Sequence, residues 1–280
     1  MDFERRFTPQ PQSPDIELFR TRVLKFYAAQ GRSFPWRQNT HPYSVFVSEV
    51  MLQQTQVYRV EPKYLHWMQE VPDFRSLAKL STERLIGLWQ GLGYNRRALA
   101  LRNSAIIVTK EYGGILPDVP ELLQSLPGIG PATAASICAF AFNKPVVFIE
   151  TNIRRVFIHF FFRDSGEVND KDILPLVEAS LYRESPRDWY NALMDLGTLL
   201  RSRGPNPNRK SRHYTRQAPF EGSNREARGA ILKALQGTPF QTTQEISKST
   251  GIGYARIERA VEELTAEGFL TAEEGQYGLK

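Results

Sequence analysis

A single cysteine, Cys138, is all the thiol that this 280-residue sequence contains. One thiol closes no internal disulfide and builds neither a cysteine-based zinc site nor an iron–sulfur cluster. It lies in the apolar run TAASICAFAF and reads as a small core residue. No stretch of about 18 or more apolar residues occurs, so a membrane span is not expected. The opening residues, MDFERRFTPQPQSPDIE, hold two arginines but no apolar run behind them, so they are not read as a secretory signal. Cytoplasmic residence is the expectation, with the nucleoid as the site in a prokaryote. The 4 histidines lack metal-ligand spacing, and His66, beside Tyr64, Leu65 and Trp67, reads as structural. No metal is expected. Alternating strand patterns are nearly missing until the last thirty or so residues.

Charge of both signs is plentiful: 36 Lys and Arg against 30 Asp and Glu. With a pI near 9.4 the balance fits a nucleic-acid partner without proving one, because cations gain affinity by displacing phosphate counterions. Hydrophobic residues make up 41% of the chain, enough for a packed core, and the length suggests about two domains. Residues 1–14 are rich in proline and read as a flexible start. Ser13-Pro14-Asp15 is a helix entrance, followed by Ile16, Phe19, Val23, Phe26 and Tyr27 at helical spacing. A loop, GRSFPWRQNTHPYS, precedes a long helical pattern, VFVSEVMLQQTQVYRVEPKYLHWMQEV, and then several shorter ones. Residues 15–200 therefore read as an all-α domain whose helices are joined by short turns.

Residues 201–223 differ. RSRGPNPNRKSRHYTR has no acidic residue and reads either as a solvated linker or as a phosphate-contacting loop, with Arg209, Lys210 and Arg212 as the contacts. Residues 224–280 run helix, helix, helix, hairpin. Thr242 or Thr243 caps the second helix, and two short strands flank Glu274-Gly275. That order predicts a winged-helix-like α+β domain. Its third helix starts with Tyr254, Arg256 and Arg259, which suits DNA reading. Glu258, Glu262, Glu263 and Glu267 on the same helix would repel phosphate, so protein contact or a structural role stands equally open.

Leu126-Pro127-Gly128-Ile129-Gly130-Pro131 lies between two helical segments. Its glycines allow a tight turn, and the exposed N–H groups and helix dipole behind it form a nest for a phosphate oxygen. Leu126 and Ile129 pin such a hairpin to the core. The motif reads backbone, not base sequence.

In order along the chain come PWR (35–37), PYSVFVSEVMLQQTQV (42–57), GLGYNRRALAL (91–101), LPGIGPATAA (126–135), IETNIRRV (149–156) and MDLG (194–197). As a set, over roughly residues 15–217, they resemble the helix-hairpin-helix DNA glycosylases, nearest the MutY-type adenine glycosylases. The resemblance implies two helical subdomains with a DNA cleft between them, a duplex partner carrying a lesion or mispair, and a monomer. It also makes the Leu126–Gly130 hairpin a candidate holder of a monovalent cation. No other cofactor is expected.

Cleaving an N-glycosidic bond requires protonation of the departing base and stabilisation of a sugar with oxocarbenium character. An acid and a carboxylate in one cleft meet both needs. The resemblance puts Glu49 at the acid position; a carboxyl in that apolar helix has its neutral form favoured. Glu150 stands where the family usually has Asp, and Asn152 follows to orient it or a water. Glu150 leaves three readings open: the longer carboxylate still reaches, the substrate has shifted, or chemistry has been lost. Gln53 and Gln54 match the glutamines that fill the space left by an extruded base. Tyr94 is a candidate wedge. Arg96, Arg97, Arg154 and Arg155 are candidate phosphate contacts, and Trp36 and Arg37 line the base pocket. Ala132 stands where some relatives carry a nucleophilic lysine, so no Schiff base forms and a monofunctional enzyme is expected. It also leaves the pocket open.

Two departures matter. Where most MutY-type enzymes place four cluster cysteines, this chain has Arg201, Asn208, Ser211 and Gln217. Where they carry a domain that inspects 8-oxoguanine, it has the winged-helix pattern. The leading expectation is a cluster-free glycosylase of base excision repair that removes adenine opposite 8-oxoguanine or guanine. Excision of thymine or uracil from mispairs, and a DNA-binding or regulatory protein without chemistry, are the alternatives.

Overall fold

A computed structural model describes residues 3–215, 218–238 and 240–280. The first helices are α1 (Asp15–Gln30), α2 (Pro35–Gln38), α3 (Pro42–Leu52), α4 (Val57–Glu70) and α5 (Phe74–Ala78). Then come α6 (Thr82–Trp89), α7 (Arg96–Glu111), α8 (Pro120–Gln124), α9 (Pro131–Phe142) and α10 (Thr151–Phe161). The series ends with α11 (Asp170–Ser180), α12 (Pro186–Ser202), α13 (Asn224–Ala234), α14 (Thr243–Thr250) and α15 (Tyr254–Ala266). Strands β1 (Gln241–Thr242), β2 (Leu270–Glu273) and β3 (Gln276–Leu279) form one antiparallel sheet in the order β1-β3-β2. The fold class is the expected one: an all-α body with a small α+β segment at the C-terminal end.

Two compact units interleave along the chain. The first comprises Met1–Glu49, Pro117–Ser125 and Ile129–Arg216. Its core is aromatic: Phe7, Phe19, Phe157, Phe160, Phe161 and Trp189 meet edge-on or tilted around α1, α10 and α12. The helical spacing of Ile16, Phe19, Val23 and Phe26 gives α1 a single buried stripe, as the sequence implies. α10 and α12 approach closely at one point. A Cβ at Gly197 would lie 2.6 Å from both the Cβ and the carbonyl oxygen of Asn152. Only glycine fits there.

The second unit comprises Val50–Leu116, Leu126–Gly128 and Gln217–Lys280. Trp67 of α4 and Trp89 of α6 pack edge-to-face, 6.0 Å between centroids. Thr242 caps α14 in a reciprocal capping box with Glu245. The Glu274-Gly275 turn has φ of 49° and 79°, as a tight hairpin with the strands' twist requires. Two local expectations change. The loop 31–44 contains a turn of helix, α2, because Pro35 at its first position presets the helical φ. The long helical pattern from Val45 is broken at Gln53–Gln56, where Gln54 takes φ of 53°. Arg97 explains the break. Its guanidinium donates to the carbonyl oxygens of Val50 (2.8 Å), Met51 (3.0 Å), Gln53 (2.6 Å) and Gly93 (3.0 Å), and to Thr55 Oγ1. It therefore satisfies the carbonyls left at the end of α3.

Candidate active site

Within the first unit, Glu49 lies in the last turn of α3. α9 supplies its partner: Ser136 Oγ lies 2.5 Å from Glu49 Oε2. Glu49 is pushed up to about 7. Burial is the main cause; the Ser136 hydrogen bond opposes it, the Glu150 charge adds to it, and the Arg37 charge opposes it. A carboxyl in this state carries a proton near neutrality and can give it up, which is what a general acid needs.

Glu150 is built differently. It is the N-cap of α10, with one carboxylate oxygen accepting from the backbone N–H groups of Asn152 and Ile153. Burial still raises its pKa, while those amides, Arg155 and Arg154 oppose the rise. The segment VVFI delivers this glutamate to the helix start. An acid at a helix N-terminus meets orphan N–H groups and the positive end of the dipole. Asn152 does stand against Glu150, its Nδ2 lying 3.4 Å from Oε2. Asn152 is itself held: Arg155 donates to Asn152 Oδ1 (2.6 Å) and to the carbonyl oxygen of Gly197 (2.8 Å). The close approach at Gly197 thus positions Asn152.

Trp36 is buried and stacks on Phe34, 5.1 Å between centroids. Arg37 of the same short helix donates to both carboxylate oxygens of Asp195, at 2.8 and 2.9 Å. Arg32 joins from the preceding loop through its Nε and its backbone N–H, each at 2.7 Å. Burial alone would raise the Asp195 carboxyl, but the two arginines hold it below its usual value. Asp195, in the MDLG segment, and Ser136 are residues that the sequence reading did not single out. A lone serine in an apolar helix and an acid beside a family glycine were the only signals.

Ala132 is exposed in the first turn of α9, and no amine stands in its place. In the hairpin before it, Gly128 has φ of 76°, and a Cβ there would lie 2.8 Å from that of Ala100. Gly130 has an ordinary φ and open space, so only the first glycine is sterically required. Gly130 is the N-cap of α9 and makes no side-chain cap hydrogen bond. Leu126 and Ile129 are buried, so these two candidates serve as anchors of the hairpin, and any contact to DNA falls to its backbone.

Several basic candidates have partners inside the protein. Arg154 makes a bidentate pair with Asp170, both bonds 2.7 Å. Arg155 is buried, so it is not a phosphate contact but a brace between α10, α12 and Asn206. Arg97 caps α3 as described above, which removes it as a phosphate contact. Lys210 donates to the carbonyl oxygens of Arg163 and Ser165. Arg209 and Arg212 are exposed. In the second unit Arg96 pairs with Glu267, as Arg228 does. Gln53 is half-buried, its Nε2 lying 3.5 Å from the carbonyl oxygen of Gly128, and Gln54 is exposed. Tyr94, with φ of 48°, lies under the guanidinium groups of Arg97 and Arg225 and accepts a 2.8 Å hydrogen bond from Arg225.

The loop after α12 does not fit an iron–sulfur cluster. Asn208 is buried and its Nδ2 donates to the carbonyl oxygen of Thr151, while Ser211 bridges to Val168. Neither residue, nor Arg201, offers a thiolate; Gln217 lies outside the described residues. Among the described residues no group of three or more His, Cys, Asp or Glu is placed to hold a metal ion. Among the described residues no helix is long and apolar enough to cross a membrane.

Comparison with known proteins bears on these residues. The description of the HhH-GPD superfamily base excision DNA repair proteins matches residues 47–174. The adenine DNA glycosylase of Mycobacterium tuberculosis (strain CDC 1551 / Oshkosh) is 30% identical over 281 residues, covering 90% of each chain. That of Mus musculus is 34% identical over 238 residues, which is 80% of this chain and 45% of the mouse protein. Among solved structures, a thermostable thymine-DNA glycosylase has a TM-score of 0.61 at 26% identity, covering 66% of this chain and 86% of its own. Endonuclease III trapped on DNA has a TM-score of 0.57 at 16% identity, covering 75% of this chain and 91% of its own, and so shares the fold. The chain belongs to the adenine DNA glycosylases of the HhH-GPD superfamily of base excision DNA repair proteins.

Proposed function

We propose that this protein is a monofunctional DNA glycosylase that removes a mispaired adenine from duplex DNA. Glu49 gives its proton to a ring nitrogen of the flipped base as the N-glycosidic bond breaks, so the base leaves neutral. Glu150, held as an anion by two backbone amides and Arg155, offsets the positive charge growing on the sugar. Water adds its oxygen to C1′, and its proton returns to a carboxylate. No amine stands at Ala132, so no Schiff base to the sugar forms and the strand is not nicked. The hairpin Leu126–Gly130 and exposed Arg209 and Arg212 hold phosphates, while Gln53, Gln54 and Tyr94 attend the space the base leaves. Arg96 and Arg154 are free for phosphate only if their pairs with Glu267 and Asp170 open.

The observation that carries this reading is the pair of half-buried carboxyls in one unit, one raised to about 7 beside a buried hydroxyl and the other tied to backbone amides. Relatives named adenine DNA glycosylases match over 90% and 80% of this chain.

A second reading, excision of thymine or uracil opposite guanine, is favoured by the likeness to a thymine-DNA glycosylase and by the small side chain at Ala132. One panel decides between them. Duplexes carrying A:8-oxoguanine, A:G, T:G and U:G are incubated with enzyme and then cleaved with alkali. Strand breaks on the adenine duplexes alone support the first reading, and breaks on T:G or U:G alone overturn it. Borohydride trapping is expected to yield no protein–DNA adduct.

A further inference from the structure

α9 is apolar and buried from Ala134 to Ala139 except for Ser136, itself 5% exposed. A buried hydroxyl is costly unless it is hydrogen-bonded. A serine inside a helix normally satisfies itself on a preceding carbonyl, and Ser136 Oγ does lie 2.9 Å from the carbonyl oxygen of Thr133. The same oxygen lies 2.5 Å from Glu49 Oε2. A hydroxyl has one proton and two lone pairs, so it cannot donate to both. Two arrangements satisfy the geometry. When Glu49 is protonated, it donates to Ser136 Oγ, and Ser136 donates to the Thr133 carbonyl. When Glu49 is ionised, Ser136 turns its proton onto the carboxylate.

We propose that Ser136 is the positioning residue of the acid: its rotating hydroxyl holds the Glu49 carboxyl in one place in both protonation states. For the transfer the proton sits on Oε1 and Ser136 donates to Oε2, so the carboxyl keeps its place as Oε1 gives its proton to the base. Such a partner is already in place when charge changes, which is how a fixed dipole lowers a barrier. Ala132, one turn earlier on α9, carries no hydroxyl, so this task falls to position 136. The other charged groups that act on Glu49 are Glu150 at the start of α10 and Arg37 on α2; neither offers it a hydrogen bond that changes direction. The proposal rests on Glu49 as the acid.

Two measurements test it together. The carboxyl of Glu49 is titrated by 13C NMR in the free protein, its resonance assigned by its loss in Glu49→Gln. Single-turnover excision is followed from pH 5 to pH 9. Ser136→Ala is expected to raise the Glu49 midpoint by about one unit, since the anion loses its donor. The alkaline limb of the rate profile moves up with it, and the plateau falls roughly tenfold as the carboxyl loses its fixed position. Ser136→Thr, which keeps the hydroxyl, restores all three. An Ala variant that titrates and reacts like the parent overturns the proposal. So does a Thr variant that behaves like the Ala variant, because packing would then be the cause. If no duplex is cut by the parent protein, the glycosylase reading fails, and the titration alone still decides whether Ser136 governs Glu49.

Discussion

The end of α3 around Glu49 and the start of α10 around Glu150 each put a carboxylate in a poorly solvated place, and in each case burial raises its pKa. They differ in what they offer the charge. Glu49 meets one hydroxyl that serves either protonation state. Glu150 meets two backbone N–H groups, which cannot accept a proton and so favour the anion alone. Two residues of one type are thereby offered different partners, a hydroxyl that can donate or accept at Glu49 and N–H groups that only donate at Glu150. The Glu150 side chain folds back onto the start of its own helix, where one carboxylate oxygen accepts from the N–H groups of Asn152 and Ile153.

The division is broken most completely by Glu49→Gln. Excision is expected to fall by about a thousandfold or more in single-turnover assays, while gel-shift affinity for the mispaired duplex is kept. Retained activity would take the acid role from Glu49. Glu150→Gln, which keeps an acceptor but loses the charge, should cost roughly a hundredfold, whereas Glu150→Asp should stay within about tenfold of the parent. Equal loss in both would mean that length, not charge, matters there.

The pH dependence sharpens the same contrast. The rate should hold below pH 7 and fall about tenfold per unit above it as Glu49 loses its proton. Stability follows the same group. A carboxyl whose folded pKa is raised gives a contribution that is full below the unfolded value near 4.5 and lost as pH rises through about 7. Thermal melts of Glu49→Gln and the parent should therefore draw apart between about pH 4.5 and pH 7, in favour of the variant, and keep that gap above it. A constant difference from pH 5 to pH 9 would contradict the raised pKa. The smallest effect belongs to the second unit. Arg225→Ala removes the hydrogen bond and ring contact that hold Tyr94, and duplex affinity should weaken by less than about tenfold with the excision plateau unchanged.

The helices, the hairpin and the terminal strands were legible because periodicity, turn residues and caps are local. Thr242 announced its cap, and Glu274-Gly275 its turn. Glu49, Glu150 and Asn152 stood out as candidates because they sit in dense motifs. Ser136 was not, since its bond to Glu49 spans 87 residues of chain and a serine among alanines carries no pattern. The arginines were misread for a related reason. Sequence shows a positive charge but not the carboxylate or carbonyl it folds against. Arg97 and Arg155 therefore read as phosphate contacts and turned out to be internal braces. Glu263 and Glu267 were misread in mirror image. Set down as repellent to DNA, they are neutralised by Arg228 and Arg96.

The missing side chain at Gly197 also sets the order of events in the life of the molecule. A chain emerging from the ribosome has made Glu49, Ser136, Glu150 and Asn152 before α12 exists. Until α12 docks with its glycine against Asn152, Arg155 has no carbonyl to grip, and the amide beside Glu150 has no fixed aim. An unfinished chain therefore holds Glu49 and Glu150 without the fixed Asn152 amide beside them. A methyl group at position 197 would push Asn152 and α12 apart and loosen the grip of Arg155 on the Gly197 carbonyl.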